Sequence, residues 1–310
     1  KTIQGAKGMP VFKDQLFDAP VDNDTRLNIA DIILPQDIKF DVIVSEGVVE
    51  PINNFISLVN SKNEIKSKGL DINLSLLLYG PPGCGKTTLA KHIAKELDIP
   101  IVVARFDSLI SSLLGNTAKN IRKLFDYAKS KPCILFLDEF DAIAKARDDN
   151  QETGELKRVI NSLLQNIDEF LETGILIAAT NHEQLLDSAI WRRFQTVIEM
   201  PKPELAEVAS MIKNMPEFID VSQIKPGQWK KVYDALLGLS YSDIKNILNN
   251  MVKKLVLKDE NKVKFTDILV EAYLFKNHGN YTMEQMVQYM IDHGVSQKQA
   301  SLYFNVSTRQ

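Results

Sequence analysis

Gly80-Pro81-Pro82-Gly83-Cys84-Gly85-Lys86-Thr87 decides the reading of this chain. It satisfies G-x-x-x-x-G-K-[ST] at every required place. An apolar run, Leu74 to Tyr79, leads into it and reads as a strand. Thr87 to Leu97 follows and reads as a helix. That strand, turn and helix context is what the motif needs. The glycines let backbone N–H groups turn inward around phosphates, and the helix start points its dipole at them. In that arrangement Lys86 spans the β- and γ-phosphates, and Thr87 offers a hydroxyl to Mg²⁺. The candidate nucleotide contacts are therefore Pro81, Pro82, Gly83, Cys84, Gly85, Lys86, Thr87 and Thr88. Within the set, Cys84 contributes its backbone and packs its side chain. Thr88 serves packing or the helix start, since one hydroxyl suffices for the metal.

Outward from this loop the chain alternates strand-like and helix-like segments. Ile101 to Phe106, Ile134 to Leu137, Ile175 to Ala179 and Thr196 to Glu199 read as strands. Asn116 to Lys129, Leu156 to Phe170 and the short stretch Leu185 to Arg192 read as helices between them. Apolar strands alternating with helices predict an α/β fold whose parallel sheet is covered on both faces. Upstream, Val48 to Leu58 has a helical apolar face, with Pro51 tolerated in a first turn. After Pro201 and Pro203 the text turns all-helical: Leu205 to Met215, Trp229 to Leu236, Tyr241 to Val256 and Phe265 to Phe275. The expected division is an N-terminal arm or adaptor remnant over 1–33, an α/β domain over 34–200, a helical domain over 201–277 and a helical hairpin over 278–310.

Two further strand ends carry chemistry. Ile134-Leu135-Phe136-Leu137 ends in Asp138-Glu139. Asp138 is suited to hold Mg²⁺ through water, and Glu139 to polarise an attacking water as general base. A base and a metal ligand must be distinct groups, and adjacent positions at a strand end bring both to one site. Asp141 reads as structural or as a helix cap. Ile175 to Thr180 ends in Asn181, placed to orient the water by a hydrogen bond. Between a helix and a strand, Trp191-Arg192-Arg193-Phe194 holds a basic pair with no obvious core duty. Two readings stand for it. The arginines neutralise transition-state charge at the γ-phosphate of a neighbouring subunit, or at least one closes an intramolecular salt bridge.

The 310 residues are long enough for two or three domains, with 45% hydrophobic and 25% charged residues. A net charge of −3 gives no bulk polycation for nucleic acid. No apolar run approaches the roughly 18 residues of a membrane span. Two cysteines, Cys84 and Cys133, make neither a disulfide scaffold nor a zinc motif. The expectation is a soluble chain in a reducing, cytoplasmic compartment, without membrane contact.

The phosphate loop, Leu135-Phe136-Leu137-Asp138-Glu139-Phe140-Asp141, Ala179-Thr180-Asn181 and Leu186-Asp187-Ser188-Ala189-Ile190-Trp191-Arg192-Arg193-Phe194, in this order and spacing, resemble the AAA ATPases, the protein-remodelling branch of the AAA+ group. The resemblance covers roughly residues 35–275. It implies a five-stranded parallel sheet of order 5-1-4-3-2, a helical lid, and a ring or spiral, usually hexameric. It places Arg192 and Arg193 on the paired arginine fingers. Asp41 and Ile43 fall where the family lines the adenine pocket, and Gly238-Leu239-Ser240-Tyr241-Ser242 opens the lid's sensor helix, with Tyr241 in place of the usual glycine.

The chain departs most at the central pore. Ile110-Ser111-Ser112-Leu113-Leu114-Gly115 puts Leu113, beside Leu114, where polypeptide-threading members carry an aromatic. An aliphatic wedge has less contact area and no flat face. There is no HExxH, so any proteolysis belongs to a separate protease partner.

The tail pairs an amphipathic stretch, Thr282 to Ile291, with a glycine turn at Gly294 and a second helical start, Ser296-Gln297-Lys298-Gln299-Ala300. It reads as a docking hairpin for a partner or neighbouring subunit, as an extension of the lid, or, less favoured, as part of a DNA-binding helix-turn-helix whose third helix would begin near Ser307. Three functions follow from the whole. The leading one is Mg²⁺-dependent ATP hydrolysis by a homo-oligomer that remodels or translocates a protein. The others are a DNA-linked AAA+ ATPase, such as a loader or mobile-element regulator, and a nucleotide-gated scaffold with slow turnover.

Overall fold

The computed structural model describes residues 19–22, 26, 28–39, 42–104, 114–141, 153–186 and 188–304. It divides into two compact units. The first comprises Lys1–Val42 and Glu46–Pro201. The second comprises Ile43–Ser45 and Lys202–Gln310.

The first unit is built on a six-stranded sheet. Its strands are β1 (Ala30–Ile33), β2 (Ser75–Tyr79), β3 (Ile101–Ala104), β4 (Ile134–Leu137), β5 (Ile175–Thr180) and β6 (Thr196–Glu199). The spatial order is β1-β3-β4-β5-β2-β6. Counted from the first parallel strand, β2, the five parallel strands follow the expected order 5-1-4-3-2. The five-stranded expectation is corrected by β1, an antiparallel edge strand paired with β3 from Ala30↔Ala104 to Ile33↔Ile101. Four residues with Asp31 among them carry no periodic signal, and only the exposed ladder of β3 makes them a strand.

Strands β4 and β5 are buried along their whole length, as is β2 up to Tyr79. This burial on both faces explains their nearly unbroken apolar text. Helix α1 (Glu46–Asn60) starts before the expected Val48, so Pro51 lies inside it rather than in its first turn. The other helices of this unit are α2 (Lys62–Ser67), α3 (Lys86–Leu97), α4 (Leu114–Lys129), α5 (Thr153–Leu171) and the short α6 (Ser188–Trp191). Phe125, Phe136, Phe140 and Phe170 are among its largest fully buried side chains. Cys133 is also buried, and burial pushes its thiol pKa up to about 12, so it stays neutral.

The second unit is helical: α7 (Leu205–Lys213), α8 (Pro226–Leu236), α9 (Tyr241–Leu257), α10 (Phe265–Lys276), α11 (Met283–Asp292) and α12 (Gln297–Phe304). Ser240 caps α9, its hydroxyl accepting from Asp243 N while Asp243 reaches back to Ser240 N. Thr282 and Gln285 repeat the device on α11. The tail hairpin shares this unit's core: Met286, Met290, Val295 and Ala300 are buried in one cluster with Val232, Ile268 and Leu269. Of the methionine stripe formed by Met283, Met286 and Met290, the last two are thus turned inward and Met283 is exposed. The third helix expected near Ser307 lies outside the described residues. Among the described residues no helix is long and apolar enough to cross a membrane.

Candidate functional site

Parallel strands present their carboxyl ends on one side of a sheet, and ligands of open α/β sheets bind there. Strands β4, β5 and β2 are consecutive neighbours. The three motifs that leave them, 138–141, 180–182 and 80–87, are therefore brought together by topology alone.

The loop after β2 is made by its glycines. Gly80, Gly83 and Gly85 have φ of 133°, 74° and 88°. This is backbone that L side chains rarely adopt. Gly80 is also closed in: a Cβ there would meet the Met200 carbonyl oxygen at 2.5 Å. That carbonyl cannot withdraw easily, because Met200 N donates to Tyr79 O at 2.7 Å and ties the two strands together. Gly80→Ala is therefore expected to destabilise the unit by about 3 kcal/mol, from backbone strain plus the clash. Urea denaturation of the two proteins measures it, and a loss below about 1 kcal/mol would show that the loop relaxes freely.

Helix α3 begins at Lys86. The Lys86 side chain is buried and folds back over its own loop, its Nζ donating to Gly80 O at 2.7 Å and Pro81 O at 2.9 Å. Burial lowers its pKa, opposed by Cys84 and then by the carboxylates of Asp138, Asp141 and Glu183. A phosphate anion in the loop would add to those negative groups and favour the charged ammonium. Thr87 Oγ1 donates to Asp138 Oδ2 at 2.6 Å. A hydroxyl and a carboxylate in contact are a pair of hard oxygen donors, the chemistry Mg²⁺ takes. Among the described residues no group of three His, Cys, Asp or Glu could hold a metal. Mg²⁺ also keeps few protein ligands and completes its shell with water and phosphate oxygens, so the pair fits it. Cys84 is buried, as its packing role requires, while Pro81 and Thr88 are half-buried and Pro82 is exposed.

The acidic turn departs from anything legible in composition. Glu139 is a non-glycine residue at φ 51°. Such a conformation costs about 1–3 kcal/mol and persists only where the surroundings impose it. Here Glu139 N donates to Asp138 Oδ1 at 3.0 Å, and Phe140 N donates to Ala179 O at 2.8 Å. The result is an exposed Glu139 side chain beside a half-buried Asp138. Asn181 is half-buried, and its side-chain amide has no hydrogen-bond partner among the described residues. Asp141, expected to be structural or a cap, does more. Its buried Oδ1 accepts from Thr180 Oγ1 at 3.1 Å and from Asn181 N at 3.2 Å.

The arginines lie at the other end of the sheet. Arg193 O accepts from Ser75 Oγ at 2.9 Å and from Asn73 Nδ2 at 3.2 Å, where β2 begins. Gly80 is where β2 has ended. The Arg193 guanidinium makes a fork to Asp168 of α5, with Nε to Oδ1 at 2.7 Å and Nη2 to Oδ2 at 2.9 Å, and Nη1 donates to Ala189 O at 2.6 Å. Arg192 is exposed. So the intramolecular pairing that sequence left open is realised for Arg193.

Of the remaining candidates, Asp41 and Leu113 lie outside the described residues. Leu114 is the first residue of α4. Ile43 is half-buried in the short segment grouped with the second unit.

A glycine cradle with a buried lysine and a metal-suited oxygen pair defines a P-loop nucleotidase. Residues 76–202 match the ATPase family associated with various cellular activities, and the chain belongs to this AAA family of ATPases. Among its relatives is the AAA family ATPase y4kL of Sinorhizobium fredii, 39% identical over 239 residues, covering 76% of this chain and 70% of the relative. Proteasome-activating nucleotidase 1 of Haloferax volcanii is 35% identical over 191 residues, covering 59% of this chain and 47% of its own length. ATP-dependent zinc metalloprotease FtsH 1 of Methylacidiphilum infernorum is 30% identical over 262 residues, 80% of this chain and 38% of that one. In structure the AAA domain of FIGL-1 in complex with ADP superposes with a TM-score of 0.63 over 85% of this chain, at 21% identity, which speaks for the fold.

Proposed function

We propose that this ATPase works with Mg²⁺ as a ring-type homo-oligomer, hexameric by analogy with its family, whose active sites are completed across subunit boundaries. Lys86 clamps the β- and γ-phosphates. Thr87 and Asp138 hold the cation, which supplies charge neutralisation at the phosphates. Glu139 takes the proton of the attacking water, and Asn181 orients that water. Arg192 belongs to the neighbour's site, while Arg193 braces it from behind through Asp168.

The observation that carries this reading is that Arg192 is exposed while its neighbour Arg193 is paired within the chain to Asp168. An exposed arginine there is open to a neighbouring subunit. Steady-state turnover against protein concentration tests it. Specific activity rises with concentration if sites are shared, and stays flat if the chain acts as a monomeric switch.

The coupled work is remodelling or translocation of a protein, with Leu113 and Leu114 as the wedge at the pore. Two relatives, a proteasome-activating nucleotidase and an ATP-dependent zinc metalloprotease, support this line. An unfolded polypeptide is expected to stimulate turnover severalfold, and Leu113→Asp to remove the stimulation while leaving unstimulated turnover within about twofold. Stimulation unchanged in the variant would sink the pore role and favour a scaffold with slow turnover.

A further inference from the structure

We propose that Asp141 is a positioning residue for hydrolysis, holding Asn181 in register with the turn that presents Glu139. This rests on the roles given above to Asn181 and Glu139.

The turn after β4 is not self-supporting, because Glu139 sits in left-handed backbone. It is stapled to the end of β5 at two successive points. The first is the bond from Phe140 N to Ala179 O at 2.8 Å. The second is Asp141, one oxygen of which accepts from both Thr180 Oγ1 and Asn181 N. Thr180 is fully buried, and its hydroxyl oxygen in turn accepts from His182 N at 3.1 Å, so the backbone on both sides of the Asn181 side chain is fixed. Asp141 itself is 3% exposed. A carboxylate that deeply buried is costly unless hydrogen-bonded, and an apolar residue would fill the same space without that cost. What an apolar residue cannot do is accept from two donors on the neighbouring strand. Asp141 is also among the groups whose charge raises the Lys86 pKa. One side chain thus connects the base-bearing turn, the backbone of the water-orienting residue and the field around the phosphate lysine. The placement is geometric, so the acceptor matters more than the charge.

The test is steady-state kinetics of the full chain with Asp141→Ala, Asp141→Asn, Asn181→Ala and the Asp141→Ala, Asn181→Ala double variant. Asp141→Ala is expected to lower kcat about 30-fold with KM for ATP within about threefold, since small misplacements of reacting groups act on kcat. Asp141→Asn keeps an acceptor oxygen and is expected to recover kcat to within about threefold of the parent. The double variant is expected to be no slower than Asn181→Ala alone, because the two residues act as one unit. If the alanine variant does not fold, Asp141→Glu replaces it: the charge stays, the acceptor moves, and the same kcat loss is expected. A KM rise that matches the kcat loss, or losses that multiply in the double variant, overturns the proposal. So does an asparagine variant as slow as alanine. An Asn181→Ala variant with full kcat overturns the role of Asn181 first, and the positioning role with it. A slow Asn181→Ala beside a fast Asp141→Ala overturns the positioning role alone.

Discussion

Glu139→Gln is expected to slow ATP turnover by roughly 10²- to 10⁴-fold while leaving nucleotide affinity within about threefold. Glutamine keeps the size and the hydrogen-bonding capacity of the side chain, but it cannot take a proton from water. The groups proposed to bind nucleotide lie elsewhere, in the loop after β2 and at Asp138. The substitution also leaves the backbone at φ 51° as it was, so folding stability should not change. Phosphate release under saturating ATP measures the first quantity, and equilibrium binding of a fluorescent nucleotide the second. A variant that loses affinity in proportion to turnover would place Glu139 in binding and leave the base unassigned.

Arg192→Ala is expected to cost about 10³-fold in turnover, the lower end of what an arginine supplied by another subunit contributes to phosphoryl transfer. ATP binding should survive, since Arg192 is assigned to the neighbour's site and not to its own loop. Arg193→Ala is expected to behave differently. It removes a fork to Asp168 that is partly exposed, with 24% and 53% of the two side chains accessible. Its loss should cost about 1 kcal/mol of stability and lower turnover only as far as Arg192 loses its brace. Mixing separates the cases. Arg192→Ala subunits have an intact base, and Glu139→Gln subunits have an intact finger. Blended at equal concentration, the two inactive proteins should regain measurable turnover, because some sites then pair a good base with a good arginine. A blend as inactive as its components would mean that the two residues act within one chain.

Much of the candidate site was legible because it is local. The run from Tyr79 through Thr87 specifies strand, turn and helix in one stretch, and Asp138-Glu139 and Asn181 stand at the ends of apolar strands. The order of the parallel strands came from resemblance, since no periodicity tells a strand which neighbour it takes. What sequence did not disclose is long-range. Asp31 sits within β1, and nothing in Ala30–Ile33 announces that the edge of β3 needs covering. Arg193 and Asp168 are 25 residues apart, and only the packing of α5 brings them together. Thr180 and Asp141 are 39 apart, one at the end of β5 and the other in the turn after β4. The left-handed backbone at Glu139 carries no compositional signal at all, because strain is imposed by neighbours and the residue is chosen for its chemistry. The tail is an intermediate case. Its methionine stripe was evident, but an apolar face does not name its partner, and the partner proved to be the core beneath it.

The register of β2 has a consequence for how the molecule is made. This strand carries the phosphate loop, yet both of its neighbours, β5 and β6, are specified much later in the chain. Tyr79 and its register partner Glu199 are separated by 120 residues. At the usual pace of synthesis, about 5–20 residues per second, roughly 6–24 seconds pass between the emergence of the two. Until β5 has been made Ser75–Tyr79 is an apolar ribbon with neither neighbour, and from then until β6 follows it has a neighbour on one side only. The nascent chain therefore carries an incomplete nucleotide pocket and an aggregation-prone strand at the same time. Any product that terminates before Thr196 would leave the β6 side of this strand unpaired.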